Sequence, residues 1–85
     1  VVTEDTNARA GQMLLADSSG GDITITLPDG PTGFSVTIKK TSASGNTVTI
    51  TTPNSETIDG QSSLSITNQY TSREIVTDGQ DYYIK

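Results

Sequence analysis

The chain contains no cysteine, no histidine and no tryptophan. Without cysteine no disulfide can stabilise the fold. Without cysteine and histidine the side chains that hold most zinc and other transition metals are missing. Nucleophilic sites that pair serine or cysteine with histidine are excluded for the same reason. We therefore expect no metal site, no cofactor and no enzymatic activity.

Carboxylates are the remaining candidates for chemistry, because the chain has ten acidic residues. Many of them stand in sequence positions typical of turns: Asp17, Asp22, Asp29, Asp59 and Asp78. Turn formation explains these residues without catalysis. The stretch 17–22 offers several oxygen atoms to a calcium ion, but it lacks the spacing of an EF-hand loop, and Asx turns account for it equally well.

Long apolar runs and basic stripes are also missing. No apolar run approaches the roughly 20 residues that a membrane helix needs, and no signal-peptide core is present. Five basic residues stand against ten acidic ones and form no stripe, which argues against nucleic-acid binding. We therefore expect neither membrane insertion nor a nucleic-acid partner.

Hydroxyl side chains are what the sequence has in excess, with 15 threonines and ten serines among 85 residues. Threonine favours strands and serine favours turns. Isoleucine, valine, leucine and phenylalanine supply only 18 residues, which predicts a folded domain with a thin core. A domain this small is marginal by itself, and because disulfides are excluded we expect support either from a homo-oligomer or from packing against flanking domains of a longer polypeptide.

Short stretches in which apolar and polar residues alternate predict seven or eight strands. The predicted strands are 12–16, 22–27, 34–40, 47–52, 56–58, 63–67, 73–77 and 80–84. This spacing is typical of a small antiparallel β-sandwich or barrel, and no stretch has helical periodicity. We predict one all-β domain at 12–85, preceded by a linker at 1–11.

The dipeptide Asp78-Gly79 predicts a two-residue type I′ hairpin turn, because both central residues of that turn need positive φ. The predicted register pairs Thr77 with Gln80, Ile75 with Tyr82 and Arg73 with Ile84. Val76 and Tyr83 then lie on the face opposite to the apolar set of Ile75, so the hairpin has apolar groups on both faces. We predict that Val76 and Tyr83 contact another subunit; a solvated tyrosine beside an exposed valine is the alternative.

Threonines occupy one side of the strands at Thr24–Thr26 and Thr47–Thr51. Thr-x-Thr ladders bind ice in some β-solenoid proteins, but those ladders need a short fixed repeat, which this sequence lacks. We expect the threonines to form the solvated face of a sheet. The adjacent Lys39 and Lys40 are typical of a guarded edge strand, although a buried lysine beside an asparagine and an acid would permit an isopeptide cross-link.

Four patterns follow one another along the chain. Leu27-Pro28 ends a strand, residues 33–38 have the form Gly-x-x-Val-x-Ile, residues 57–60 read Thr-Ile-Asp-Gly, and residues 76–79 lead through Asp-Gly into Tyr82-Tyr83-Ile84. In this order they resemble a small all-β module that recurs in bacteriophage fibre, spike and head-fibre proteins. The resemblance covers nearly the whole chain.

The resemblance implies a non-enzymatic structural module of a virion appendage, located at the virion surface. Such modules are usually homotrimers in contact with other virion proteins, and residues 1–11 would be a fibre-shaft junction. Some carry receptor-binding tips, so a host-surface glycan is a possible partner. Loops on a rigid sheet carry recognition most easily, and the candidate residues are Asp29, Thr32, Ser42, Ser44, Gln61 and Tyr70. The alternative is a bacterial surface adhesion or carbohydrate-binding module that uses Tyr70 to stack on a sugar ring.

Overall fold

A computed structural model of the chain describes residues 2–29, 35–43 and 45–85. Within these residues the regular secondary structure consists of strands, with no helix. The eight strands are β1 (Thr6–Asn7), β2 (Met13–Ala16), β3 (Ile23–Thr26), β4 (Ser35–Lys40), β5 (Val48–Thr51), β6 (Ser63–Ile66), β7 (Ser72–Thr77) and β8 (Tyr82–Ile84). The prediction of an all-β fold is confirmed.

The strands form two four-stranded sheets. Sheet 1 has the order β1-β3-β5-β6, and sheet 2 has the order β2-β4-β7-β8. The pairs β1–β3, β3–β5 and β2–β4 are parallel, whereas β5–β6, β4–β7 and β7–β8 are antiparallel. Of the predicted antiparallel β-sandwich or barrel, two points are wrong: the sheets are mixed rather than antiparallel, and neither closes into a barrel.

The mixed strand directions follow from the path of the chain between β1 and β5. Each strand from β1 to β4 is followed by one in the other sheet, so the chain returns to a sheet only after a complete turn. A strand that returns in this way runs parallel to its neighbour, unlike a strand that follows a hairpin. The sequence pattern predicts the strands, but it does not predict that successive strands lie in different sheets.

One core lies between the two sheets. Apolar residues alternate with polar ones along β3, β4 and β5, so each strand turns its apolar side inward. Ile25 pairs with Ile50 in sheet 1, and Val36 pairs with Ile75 in sheet 2. Full burial of such a side chain stabilises the fold by about 1.5–3 kcal/mol. The burial of one face is therefore what fixes the register of each strand.

Two segments differ from the predicted strands. Residues 56–58 form no strand, and Ile58 makes only isolated bridges to Gln61 and Tyr82. Conversely, the segment 1–11 contributes to the fold: β1 pairs with β3, Val2 bridges to Ala16, and Ala8 is buried in the core. The role of residues 1–11 as a junction to a fibre shaft stays a prediction.

The predicted register of the β7–β8 hairpin is wrong by two residues. The observed pairs are Ile75–Ile84, Val76–Tyr83 and Thr77–Tyr82, so four residues connect the strands. Asp78 does not adopt positive φ. Its Oδ1 instead accepts hydrogen bonds from the N–H groups of Gln80 and Asp81, each at 2.9 Å. A shift by two keeps every side chain on its predicted face, so Val76 and Tyr83 do lie together on the outer side.

The Asp-Gly dipeptide at 59–60 forms a two-residue turn. Asp59 and Gly60 have φ values of 49° and 82°. Ile58 N–H donates to the Gln61 carbonyl at 2.7 Å, and Gln61 N–H donates back to the Ile58 carbonyl at 2.9 Å. Positive φ at both central residues and this reciprocal pair define a type I′ turn.

Candidate subunit-contact and binding surfaces

The outer face of sheet 2 carries exposed apolar side chains. Val76 and Tyr83 are direct cross-strand partners on this face, and Tyr83 is 41% exposed. β2 adds Met13 at 61% and Leu15 at 36% exposure. Ser35, Thr37 and Lys39 of β4 lie between these two apolar groups, with Lys39 directly beside Leu15. The residues predicted as a subunit contact are therefore part of a wider face that includes β2.

Met13 and Leu15 are absent from the candidate residues drawn from the sequence. The signal that could have found them is the run Met13–Ala16, which is apolar at four consecutive positions. An alternating strand buries only every second residue, and accordingly Leu14 and Ala16 point into the core while Met13 and Leu15 point outward. A strand with apolar residues on both sides needs a second surface to cover it.

Polar contacts surround the apolar groups on this face. Tyr83 Oη donates to Asp78 Oδ2 at 3.1 Å, and this hydrogen bond raises the pKa of the Tyr83 phenol. The pKa of Asp78 is lowered, chiefly because the backbone N–H groups of Asp81 and Gln80 bind its carboxylate. Lys85 and Glu74 form an exposed ion pair at 3.9 Å, which contributes little to stability.

The outer face of sheet 1 is covered with hydroxyl groups. Thr24 lies beside Thr49, and Thr26 lies beside Thr51 with 3.4 Å between their Oγ1 atoms. Ser63 and Ser65 of β6 continue the two rows. β3, β5 and β6 contain no charged residue. The threonines are half-buried and the serines exposed, so this is a polar outer face.

The candidate recognition residues lie at two opposite ends of the sheets. One end holds Asp29 and Gln61. Asp29 follows Pro28, whose carbonyl accepts a 2.7 Å hydrogen bond from Tyr82 Oη. Gln61 forms a backbone bridge with Ile58, which in turn forms a bridge with Tyr82. At the other end, Tyr70 N–H donates to the Lys40 carbonyl at 2.7 Å, next to Ser42. Thr32 and Ser44 lie outside the described residues. The described candidates therefore do not form a single site.

Ser42 belongs to a buried polar cluster that also contains Ser18, Lys40 and Asn46. The Oγ atoms of Ser18 and Ser42 are 2.9 Å apart, and Asn46 Nδ2 donates to the Ser18 carbonyl at 2.8 Å. Lys40 Nζ donates to the Ser42 carbonyl at 2.8 Å. Ser18 and Lys40 are both fully buried. These bonds join the β2–β3 loop, the β4–β5 loop and the end of β4, so the cluster's evident role is to hold one end of the fold together.

The interpretation of Lys39 and Lys40 as guards of an edge strand is wrong. β4 lies between β2 and β7 and is not an edge. Lys40 points into the fold, while Lys39 points outward with its Nζ 5.7 Å from the centroid of the Tyr70 ring. A cation at this distance is attracted to the ring face. Tyr70 is 64% exposed, and its φ of 66° is unusual for a residue with a side chain.

The acidic residues of the 17–22 loop bind backbone N–H groups. Asp17 Oδ1 accepts from Ser19 at 3.0 Å, and hydrogen bonds from Ser19 lower the pKa of Asp17. Asp22 Oδ1 accepts from Thr47 at 2.8 Å. Over residues 2–29, 35–43 and 45–85, no three acidic side chains are grouped as they would be to hold a metal ion.

Comparison with known proteins adds no family. No family model and no curated protein matches the chain. The resemblance to phage appendage modules therefore stays a prediction from the residues that carry it. Among the described residues there is no helix with the length and apolar character needed to cross a membrane.

Proposed function

We propose that the chain is a non-enzymatic structural module of a phage virion appendage, and that it forms a homotrimer through the outer face of sheet 2. The observation that supports the proposal is the apolar surface formed by Met13, Leu15, Val76 and Tyr83. The appendage, its place at the virion surface and the trimeric state come from the sequence resemblance. The apolar face supplies the physical reason for assembly.

The chain has few large apolar side chains. With 18 residues of isoleucine, valine, leucine and phenylalanine in 85, the core is thin. Even so, the chain leaves Met13, Leu15 and Tyr83 on one outer face. Covering them in a subunit interface removes apolar area from water at roughly 25 cal/mol per Å². In an assembly with closed rotational symmetry, every subunit buries the same surface.

Analytical ultracentrifugation of the wild-type chain tests this assembly. We expect species built from multiples of three chains of 8.9 kDa each. Tyr83→Lys places a charge in the centre of the contact and should yield smaller species, while circular dichroism stays that of a folded β protein. Thr49→Lys adds the same charge to the outer face of sheet 1 and is the matched control. A monomeric wild type, or a Tyr83→Lys variant with unchanged mass, would contradict the proposal.

A carbohydrate-binding role is the second candidate, and the exposure of Tyr70 favours it. Sugar rings stack on aromatic faces, and this ring is 64% exposed beside the Lys39 ammonium group. A host-surface glycan is the ligand class that such a site would take. On a glycan array, Tyr70→Ala should lose the bound signal, while Tyr70→Phe, which retains the ring, should keep most of it. An array on which the wild type binds no glycan would contradict this role.

A further inference from the structure

The backbone groups on the outer edge of β6 can be assigned from the bonding of β5. Ile23 N–H donates to the Thr47 carbonyl, and Leu27 N–H donates to the Thr51 carbonyl. Backbone groups of successive strand residues point alternately to the two sides, so Thr47, Thr49 and Thr51 face β3. Val48 and Ile50 consequently face β6, where they meet Ile66 and Leu64. The N–H and C=O groups of Ser63 and Ser65 therefore point away from the sheet.

The outer edge of β6 has no backbone partner among the described residues, whereas both edges of sheet 2 are covered. Val2 covers β2, with Val2 N–H donating to the Leu15 carbonyl at 2.8 Å and Asp17 N–H donating to the Val2 carbonyl at 2.7 Å. The segment 57–59 covers β8, with Tyr82 N–H donating to the Thr57 carbonyl at 2.8 Å. Within the described part of the chain, two edges are thus covered and this one is open.

The other edge of sheet 1, at β1, is protected in a different way. β1 has two residues, and Glu4, Asp5 and Arg9 lie next to it. Short length and nearby charge are common means of preventing edge pairing. β6 has twice that length, and residues 60–72 contain neither a charged residue nor a proline. β6 is therefore the edge that lacks protection.

We infer that β6 pairs with the β6 of a second copy of this chain, antiparallel, about a two-fold axis at Leu64. The uncharged stretch 60–72 lets two chains, each of net charge −5, meet without a like-charge contact. The stretch 60–72 has no charged residue that would attract a basic or an acidic partner. The inference does not depend on the proposed function, because the trimer contact lies on the other sheet.

The outward groups determine the register of this pairing. Ser63 forms a hydrogen-bonded pair with Ser65 of the partner subunit, and Ser65 forms the equivalent pair by symmetry. Leu64 then lies opposite Leu64 of the partner subunit at the closer, non-hydrogen-bonded position. Leu64 is half-buried at the rim of the core, so the pairing covers its exposed part. Sheet 1 becomes one continuous eight-stranded sheet across the two copies.

Two double variants test both the pairing and its register. Ser63→Lys with Ser65→Lys places lysine opposite lysine twice, whereas Ser63→Glu with Ser65→Lys places glutamate opposite lysine twice. Opposed like charges on a cross-strand pair destabilise it and opposite charges stabilise it. We expect the dimer Kd to rise about tenfold or more in the first variant and to stay within about threefold of the parent in the second.

The experiment is run by sedimentation velocity in the Tyr83→Lys background, where the proposed trimer contact is absent. A dimer that dissociates in the Lys-Lys variant and persists in the Glu-Lys variant supports the inference. A monomeric Tyr83→Lys protein, or a dimer with equal Kd in both double variants, overturns it. The proposed trimer stands or fails separately, through the mass of the wild-type chain.

A disulfide provides a second measure of the register. Because the chain has no cysteine, Leu64→Cys introduces a single thiol at the axis, where the opposed residues are close enough for an S–S bond. We expect a cross-linked dimer under oxidation. Both thiols are placed in the Tyr83→Lys background, where the proposed trimer contact is absent, and Ser72→Cys, exposed on sheet 2, should cross-link far less. Equal cross-linking of the two variants overturns the assigned axis.

Discussion

The two sheets share one core but present different outer surfaces. Sheet 1 turns threonine and serine outward and leaves its β6 edge open. Sheet 2 turns Met13, Leu15, Val76 and Tyr83 outward and has both edges covered. One sheet thus leaves backbone hydrogen-bonding groups to be satisfied, and the other leaves apolar area to be buried.

This difference shows that two kinds of contact are available to a chain with a thin core. Edge pairing depends on hydrogen bonds and is indifferent to most side chains, whereas face packing depends on apolar area. Threonine suits the first sheet because its branched side chain favours strands without adding a large apolar surface. The two surfaces can therefore be tested independently of each other.

The largest effect should come from the core, where the two sheets are equivalent. Ile38 of sheet 2 and Ile50 of sheet 1 are both fully buried, so replacing either with alanine should lower the free energy of unfolding by about 2–5 kcal/mol. Urea unfolding measures this change. If an alanine variant fails to fold, isoleucine to valine should still cost about 0.5–1.5 kcal/mol.

The controls for this comparison are Thr37→Ala and Thr49→Ala, which alter the outer sides of the same two strands. Each should cost about 1 kcal/mol or less, because only strand propensity and surface packing change. A large cost for Ile38 and a small cost for Ile50 would mean that the sheets do not contribute equally to one core.

The strands could be predicted from the sequence because alternation of apolar residues reports burial of one face. That signal places β3, β4 and β5 correctly. It could not reveal that successive strands alternate between sheets, since side-chain periodicity is the same in parallel and antiparallel strands. β1 was missed because two residues, Thr6 and Asn7, give no periodicity. Its pairing with β3 depends on tertiary contacts.

The Asp-Gly dipeptides at 59–60 and 78–79 show where local sequence reasoning ends. Both allow a type I′ turn, but Asp78 uses its carboxylate to bind two N–H groups and opens a four-residue loop. Asp59 instead adopts positive φ, and its Oδ1 accepts from Ile84 N–H at 3.1 Å. Asp78 thus binds amides of its own loop, whereas Asp59 binds the amide of a residue that is distant in sequence. Val76 and Tyr83 were still placed on the outer face, because an error of two residues preserves the face.

A smaller effect is expected at the turn that covers the β8 edge of sheet 2. Gly60 has φ of 82°, and no atom lies within 4 Å of the position that a Cβ would take. Gly60→Ala should therefore cost about 1–2 kcal/mol through backbone strain alone. Gly20→Ala is the control, since Gly20 lacks positive φ and also has open space. It should change the free energy of unfolding by about 0.5 kcal/mol or less.

Gly60→Ala should also uncover the β8 edge of sheet 2, which would then resemble the β6 edge of sheet 1. Loosening the turn frees the segment 57–59 from β8, so the amides of Tyr82 and Ile84 should exchange with solvent faster. Hydrogen exchange followed by NMR measures this directly. If both amides keep their protection while the free energy of unfolding falls by the expected amount of about 1–2 kcal/mol, the turn does not hold the segment 57–59 against β8.

The smallest effect is the pH response of Asp78 and Tyr83 beside the outer face of sheet 2. The pKa of Asp78 is lowered in the folded state, so its contribution to stability is present above the unfolded pKa of about 4 and is lost as the pH falls through the folded pKa. The pKa of Tyr83 is raised, so its contribution is present below about pH 10 and is lost as the pH rises through the folded pKa.

Urea unfolding across the pH range separates these two contributions. Asp78→Asn retains an oxygen that can accept the loop N–H groups but cannot titrate there, so it should weaken the loss of stability below about pH 4. Asp17 also has a lowered pKa, and part of the acid loss should therefore remain. Tyr83→Phe should weaken chiefly the alkaline loss and only slightly the acid loss, because the Tyr83 hydroxyl is a minor cause of the lowered pKa of Asp78. Thr49→Ala on the uncharged face of sheet 1 should change neither. An Asp78→Asn variant with the wild-type acid profile would mean that the Asp78 carboxylate binds its loop no more strongly when ionised than when protonated.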